Sequence, residues 1–369
     1  QAMRAAELRS KLGEIFSRTG QLAEARRAFH EAASLSLQLA PLLAARAYCS
    51  LGRVETEDHR YEEALAAFDS ATELLEARID KEADDWVETW LDLQHALTGL
   101  YYWQNEPGSI AVVLARMRPV VEVRGTARQK ANFYTELGVQ RFRASRYLID
   151  ESILADLRAG SAAAAEAGFE NELYWARFEV GFASLWHGDL VVAQNELEGV
   201  LAIVRRVGDK ITELRCLTYL ACAQLRRHNV ARVKDMASQN EQLANVLAFP
   251  EYIGMARAML SWVAWKEGRF SDAELIGREA LGHWRSGVVN YPFYWVALWP
   301  LMAVRLADGR CEEAVTAARE LVSPDQMHLP IELETTLASA IAAWDSHRPE
   351  VAGERLNHAL QLADQLDFA

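Results

Sequence analysis

Histidine, cysteine and paired carboxylates carry most acid–base, nucleophilic and metal chemistry, and in this 369-residue chain they stand apart from one another. The nine histidines are singletons; His59, His187 and His228 fall at or beside polar breaks between helical stretches, where a solvated or capping role suits them. The four cysteines, Cys49, Cys216, Cys222 and Cys311, form no CxxC. Cys216 and Cys222 share one predicted helix but lie on different faces, the pattern of buried free thiols in a reducing cytoplasm. The acid pairs Glu62-Glu63 and Glu312-Glu313 open helices, where carboxylates complement the helix dipole. The sequence has no phosphate-binding GxxxxGK[ST] loop, no HExxH, no EF-hand loop, no GxSxG and no dinucleotide fingerprint. The expectation is a chain that is not an enzyme and takes no cofactor and no metal.

Aromatic side chains remain, eleven of them tryptophan, and their positions depend on the elements that hold them. The organising stretch is Leu51 to Ala71. Leu51-Gly52 lies in a first helix, Glu57 to Arg60 forms a polar break, and Tyr61, Ala64, Phe68 and Ala71 follow at spacings of three, four and three, one face of a second helix. Such a hairpin has one apolar side that it cannot bury alone. The unit recurs: Gly13, Gly52, Gly99, Gly138, Gly181, Ala221, Ser261, Met302 and Ala340 align, about 41 residues apart on average. Twelve residues further on stand Ala25, Ala64, Ala111, Asp150, Ala193, Val233, Ala273, Ala314 and Ala352, seven of nine alanine.

The alignment predicts nine helical hairpins in a single domain over residues 1–369, with its weakest register around 140–170. Gly20, Gly188, Gly268 and Gly309 fall at matching turns and are expected to cap first helices. In the third unit Trp90 to Trp103 makes the first helix and Pro107 opens the second, with extra residues around Asp80 to Asp85. In the fourth, Asp150 replaces the inward alanine, so its second helix is expected to be shifted or longer. Without polar caps at either end, and opening Gln-Ala-Met, the chain reads as a piece of a larger polypeptide.

A formal charge of −13 disfavours direct contact with nucleic acid. The uncharged run Ser286 to Val304 is interrupted by Asn290, Pro292 and Pro300 and falls in register with a repeat, so it is expected in the core and not in a membrane.

Leu-Gly, a turn Gly, then aromatic-x-x-Ala-x-x-x-Phe-x-x-Ala resembles the tetratricopeptide repeat. The pattern is clearest at Leu12-Gly13 with Gly20, Leu22, Ala25, Phe29 and Ala32, at Leu51-Gly52 with Tyr61, Ala64, Phe68 and Ala71, and at Gly268 with Phe270, Ala273 and Ala280. The resemblance implies an all-α, right-handed α-α superhelix. Arrays with this longer period are similar to the C-terminal sensor superhelices of large bacterial signal-transduction ATPases, the MalT-type transcriptional regulators and the cyclase-linked ATPases among them. That likeness implies a regulatory segment that answers a ligand or a partner.

In such arrays the first helices line the concave surface. Transferred through the alignment, those positions are polar in the first two units, at Glu7, Ser10, Glu14, Arg46 and Arg53. From the third onward they become Trp103, Phe142, Trp175, Phe178, Phe182, Arg215, Trp262, Trp265, Trp299 and Trp344. Aromatic walls with an occasional arginine suit a groove for a peptide, a partner segment or a small inducer. The competing expectation is a scaffold that self-associates by stacking its end hairpins.

Overall fold

The computed structural model describes residues 2–77, 81, 83–287, 289 and 291–369. Among the described residues eighteen helices follow one another in nine consecutive pairs, and no strand occurs. The pairs are α1 (Ala2–Arg18) and α2 (Leu22–Ser36), α3 (Pro41–Glu57) and α4 (Tyr61–Glu76), α5 (Asp84–Trp103) and α6 (Pro107–Arg124), α7 (Ala127–Ala144) and α8 (Glu151–Ala167), α9 (Glu170–His187) and α10 (Leu190–Val207). They continue with α11 (Lys210–Leu225) and α12 (Val230–Leu247), α13 (Pro250–Lys266) and α14 (Phe270–Ser286), α15 (Trp295–Ala307) and α16 (Cys311–Leu321), α17 (Ile331–Asp345) and α18 (Pro349–Gln365).

By its contacts the chain divides into two compact units. The first comprises residues 1–144, 149–184 and 199–213, the second residues 145–148, 185–198 and 214–369. Within the first, α1 to α8 pack in chain order, and α1, α3 and α5 each also touch the next first helix. Within the second, α12 to α18 pack in order, α13 also touching α15 and α16 touching α18.

One turn chemistry joins eight of the pairs. Two residues before each second helix stands a residue in the left-handed region: Gly20, His59, Asn105, Gly188, His228, Gly268, Gly309 and His347. After Gly20, His59, Asn105, His228, Gly268, Gly309 and His347 the following amide donates back to the carbonyl five residues earlier, as from Gln21 to Phe16, Arg269 to Ala264 and Arg310 to Arg305, each at 2.8 Å. This Schellman closure satisfies carbonyls that the helix end leaves orphaned, and glycine enters it without a Cβ clash. The four glycines expected to cap first helices do so, and His59 and His228 occupy the equivalent position in their turns.

The fourth pair departs, as its sequence predicts. Arg146 and Tyr147 both take positive φ, and Asp150 is the N-cap of α8, accepting from the Ile153 amide at 2.9 Å. α8 begins thirteen residues after Gly138, where α2 begins nine after Gly13. The helix is shifted, not lengthened, and Leu154 takes the inward place.

The third pair corrects the register by one residue. A Cβ on Gly99 would meet nothing within 4 Å, and Ala111 is exposed. Their places are taken by Thr98 and Ile110, both fully buried, because α6 starts eight residues after Gly99. The inward row is therefore Ala25, Ala64, Ile110, Leu154, Ala193, Val233, Ala273, Ala314 and Ala352, the fourth residue of each second helix, none more than 1% exposed. Small residues there let first and second helices close on one another, and large ones opposite glycine fill the gap: a Cβ on Gly138 would stand 2.5 Å from Leu157 Cδ2. In the second unit the sizes are exchanged. Gly277 on α14 meets Leu301 of α15, 3.0 Å from an added Cβ, and Ser261 of α13.

The extra residues expected around Asp80 to Asp85 lie partly outside the described residues; Asp84 and Asp85 open α5. The run Ser286 to Val304 supplies the buried α15, only 13 residues long, and among the described residues no helix is long and apolar enough to cross a membrane. Cys49, Cys216 and Cys222 are buried free thiols, and Cys311 is half-buried.

Candidate functional site

In the first unit the first helices carry a chain of polar side chains linked from one hairpin to the next. Glu88, Asp92 and His95 are spaced four and three on α5 and so share a face; on α7 Gln129 and Glu136, seven apart, share one, with Arg128 beside it. Arg46 of α3 donates through Nε to Thr89 Oγ1 of α5 at 2.9 Å, and Arg53 donates to the Asp92 carbonyl at 2.9 Å. Arg128 donates through Nη2 to both Asp92 carboxylate oxygens, at 2.8 and 2.9 Å, and its Nη1 lies 3.8 Å from Glu172 of α9. Gln129 donates to the Glu88 carbonyl at 3.0 Å. Beyond it, the Tyr174 hydroxyl of α9 donates to Asp209 at 3.0 Å.

Two titrating groups are set into this face. Burial pushes the Glu136 carboxyl up to about 7, against a Thr98 hydroxyl bond and the Arg53 charge that favour its ionised form. Burial, with Arg53 and Arg128, lowers His95 to about 3, against the pull of Asp92. His95 Nδ1 and Glu136 Oε1 lie 3.6 Å apart. Arg128 is held above its usual value: burial lowers it, but Asp92, then Glu172 and Glu88, outweigh that. Glu136 and the His95 Nδ1 are buried beneath this face, which presents the clamped guanidinium groups of Arg46, Arg53 and Arg128. Such a set can read hydrogen-bonding groups and charge on a ligand.

The expected groove aromatics fall into two groups. In the first unit Phe142, Phe182, Phe178 and Trp175 form one run, with ring centroids 5.5, 6.2 and 5.4 Å apart in that order. Tyr102 joins Trp103 to Phe142 at 5.7 and 6.5 Å, and Arg143 stacks over Tyr102 at 4.8 Å. Phe142, Phe178 and Phe182 are buried, while Trp103 and Trp175 are half-buried. In the second unit Trp262 and Trp299 are fully buried, Arg215 is buried and donates to the Tyr252 hydroxyl at 3.2 Å, and Trp265 and Trp344 are half-buried. Lys266 sits over both Trp262 and Trp265, at 5.6 and 4.3 Å. Of the ten expected groove residues, Trp103, Trp175, Trp265 and Trp344 present part of their rings to solvent and the other six are core.

The ionic run Arg46–Thr89, Gln129–Glu88, Arg128–Asp92 and Arg128–Glu172 was not anticipated beyond Arg46 and Arg53. Its signal was available as polar residues six, nine and ten places before the Leu-Gly position, a column overshadowed by the tryptophans. A second aromatic cluster was also missed. Trp186 stacks on Phe293 at 4.7 Å, with Tyr219 and Trp295 edge-on to Trp186 at 6.4 and 6.3 Å, and Trp284 stacks on Tyr291 and Tyr294 at 5.2 and 4.9 Å. Among the described residues, the indole nitrogens of Trp262, Trp295 and Trp299 are buried without an acceptor, and no group of three or more His, Cys, Asp or Glu could hold a metal.

No family model matches the sequence, and no curated protein does. Solved structures match it in fold. A Rap protein complexed with competence and sporulation factor has a TM-score of 0.60 at 12% identity, covering 87% of this chain and 98% of that one. NprR in complex with its cognate peptide NprX has a TM-score of 0.59 at 12% identity, over 86% and 83%. A signal transduction ATPase with a tetratricopeptide repeat sensor from Pyrococcus horikoshii has a TM-score of 0.52 at 15% identity; the match covers 82% of this chain and 45% of that protein. The fold class is thus an all-α superhelix of the tetratricopeptide-repeat type.

Proposed function

We propose that this chain is a sensing or docking module of a regulatory protein, and that it binds an extended peptide or partner segment along the first-helix face of its first unit. The carrying observation is the linked run Arg46, Arg53, Asp92, Arg128 and Gln129, held by Thr89, by the Glu88 and Asp92 carbonyls and by the Arg128–Asp92 pair, with all but the buried Gln129 at least partly open to solvent. Pre-organised arginine and carboxylate groups hold peptide amides and termini with little further loss of side-chain freedom. Trp103 and Trp175 add half-buried rings for apolar side chains. Likeness of fold to NprR solved with its cognate peptide and to a Rap protein complexed with competence and sporulation factor supports this reading, as does the absence of any assembled catalytic motif in the sequence.

The test is fluorescence anisotropy of labelled synthetic peptide pools, five to ten residues long, titrated with the chain and with Asp92→Ala and Arg128→Ala. Saturable binding weakened at least about tenfold by either substitution, close to 1.4 kcal/mol, is expected. Pools that never bind, or that bind the variants as well as the parent, reject the site.

A further inference from the structure

Residues 364–368 close α18 with a turn that recurs in the chain and a contact that does not. Asp367 takes positive φ and the Phe368 amide donates back to the Ala363 carbonyl at 2.7 Å. Phe249 follows the left-handed Ala248 in the same way, its amide donating to Ala244, and then packs on Tyr252 of the helix that comes next. Phe368 instead reaches back across the first helices of earlier hairpins. Its ring meets Trp295 of α15 edge-on, with centroids 5.3 Å apart, and the Arg226 guanidinium, just past the end of α11, lies over it at 5.0 Å. Beside the ring, Asp364 accepts from Nζ of Lys266, the last residue of α13, at 2.7 Å. His228 Nε2 lies 3.1 Å from Asp367 Oδ1, and its Nδ1 lies 3.9 Å from Asp364. These carboxylates meet partners 98 and 139 residues earlier in the chain, all of them within the second unit.

The seat is cationic and aromatic, and the segment in it fits only in part. Phe368 is 6% exposed, but the Asp364, Asp367 and His228 side chains are 55, 49 and 36% exposed, so the ion pairs around the ring are screened and contribute little. Carboxylates at the C-terminal end of a helix also oppose its dipole, so Asp364 and Asp367 stand there at a local cost. Within the seat two buried donors, Arg226 Nε and Trp295 Nε1, have no acceptor. One ring and a few surface pairs therefore hold the segment. A ligand that brings the same ring and carboxylates, with an acceptor for either donor, binds the seat better. We propose that this seat, formed by Arg226, His228, Lys266 and Trp295, docks an acidic segment of a partner protein with an aromatic residue beside its carboxylates, and that residues 364–368 fill it until such a segment displaces them. The seat lies in the second unit and does not depend on the peptide-binding face of the first.

The probe is a labelled synthetic peptide of residues 361–369, blocked at both ends, titrated against the whole chain by anisotropy. The tethered segment competes at an effective concentration of roughly a millimolar, so the parent should bind the peptide weakly. Asp364→Ala with Phe368→Ala empties the seat, and this double variant should bind saturably and at least about tenfold more tightly than the parent. Adding Lys266→Glu, at a partly exposed position, should weaken binding at least about tenfold, and a peptide carrying Phe368→Ala should not bind. In the parent, excess peptide should quicken hydrogen exchange at the Asp367 and Phe368 amides, a readout that stands even where the double variant fails to fold. Equal binding to parent and double variant, no binding to a folded double variant, binding indifferent to Lys266→Glu, or exchange unmoved by excess peptide overturns the proposal. So does a dimer of the chain that Phe368→Ala dissolves, which would make the exchanged segment of a second copy the occupant.

Discussion

His95 and Glu136 face one another between α5 and α7, Nδ1 to Oε1 3.6 Å apart, with pKa values displaced in opposite directions by the same burial. Each displacement makes stability depend on pH. Between about 4.5 and 7 the folded chain keeps a proton on Glu136 that the unfolded chain has released, so stability falls as pH rises. Between about 3 and 6.5 the unfolded chain holds a proton on His95 that the folded chain lacks, so stability climbs as pH rises. The two slopes oppose one another where these windows overlap. Glu136→Gln removes the first alone: its urea midpoint should match the parent near pH 4 and exceed it above pH 7. Midpoints that run parallel from pH 4 to 8 would show that Glu136 keeps an ordinary carboxyl pKa.

A Cβ added at Gly13 would stand 2.7 Å from Phe29 Cε1, and one added at Gly52 would clash with Phe68 still more closely. Phe68 is 1% exposed and has no room to retreat. Gly52→Ala should therefore cost roughly 1–3 kcal/mol by overpacking. Gly99→Ala should do the reverse, gaining about 0.5–1 kcal/mol, because that position is helical and its added methyl meets nothing within 4 Å. Thermal midpoints of the two variants, moving in opposite senses, would confirm the register; a shift in the same sense would refute it.

That pair also shows how far the sequence was legible. Hairpin number, turn glycines and the inward alanines followed from composition and spacing, because each answers to a local rule: a left-handed turn, a close helix contact, a period of 3.6 residues. The third hairpin slipped by one because Thr98-Gly99 imitates Leu-Gly, and only the start of α6 at Pro107 shows which of the two lies in the contact. For the site, spacing placed the ten groove residues on first helices but could not say how deep each lay. Trp262 and Trp299 are core, while Trp265, three residues from Trp262, is half-buried. The ionic run escaped because its partners lie 36 to 44 residues apart, on different hairpins.

Within the second unit, the turn at 145–148 is held by partners nearly two hundred residues further along. Arg146 donates through Nε to the Gln326 carbonyl and through Nη2 to the Ser323 carbonyl, both at 2.8 Å, and the His328 amide donates to the Arg146 carbonyl at 2.9 Å. Tyr147 packs on Phe293 with centroids 5.0 Å apart. Arg146→Ala forfeits two charge-assisted bonds, each about 1.5–3 kcal/mol. Hydrogen exchange at the amides of residues 326–328 should then quicken while the α1–α4 amides stay as they were. Unchanged exchange at 326–328 would mean the segment is held without Arg146.

If peptides bind along the first helices, the half-buried tryptophans should carry the contact and the buried ones the fold. Trp175→Ala leaves the Phe142–Phe182–Phe178 run in place and removes only its solvent-facing end. It should weaken peptide binding by about 2 kcal/mol, the mark of an interface hot spot, with a small change in thermal midpoint. Trp262→Ala should cost about 3–5 kcal/mol of stability through the cavity it opens, and leave peptide affinity alone in whatever fraction stays folded. Acrylamide quenching separates the classes without mutation, since Trp103, Trp175, Trp265 and Trp344 are open to the quencher and Trp262 and Trp299 are not. Bound peptide should then protect Trp103 and Trp175 and leave Trp265 and Trp344 as quenchable as before. Protection confined to Trp265 and Trp344 would move the binding face to the second unit.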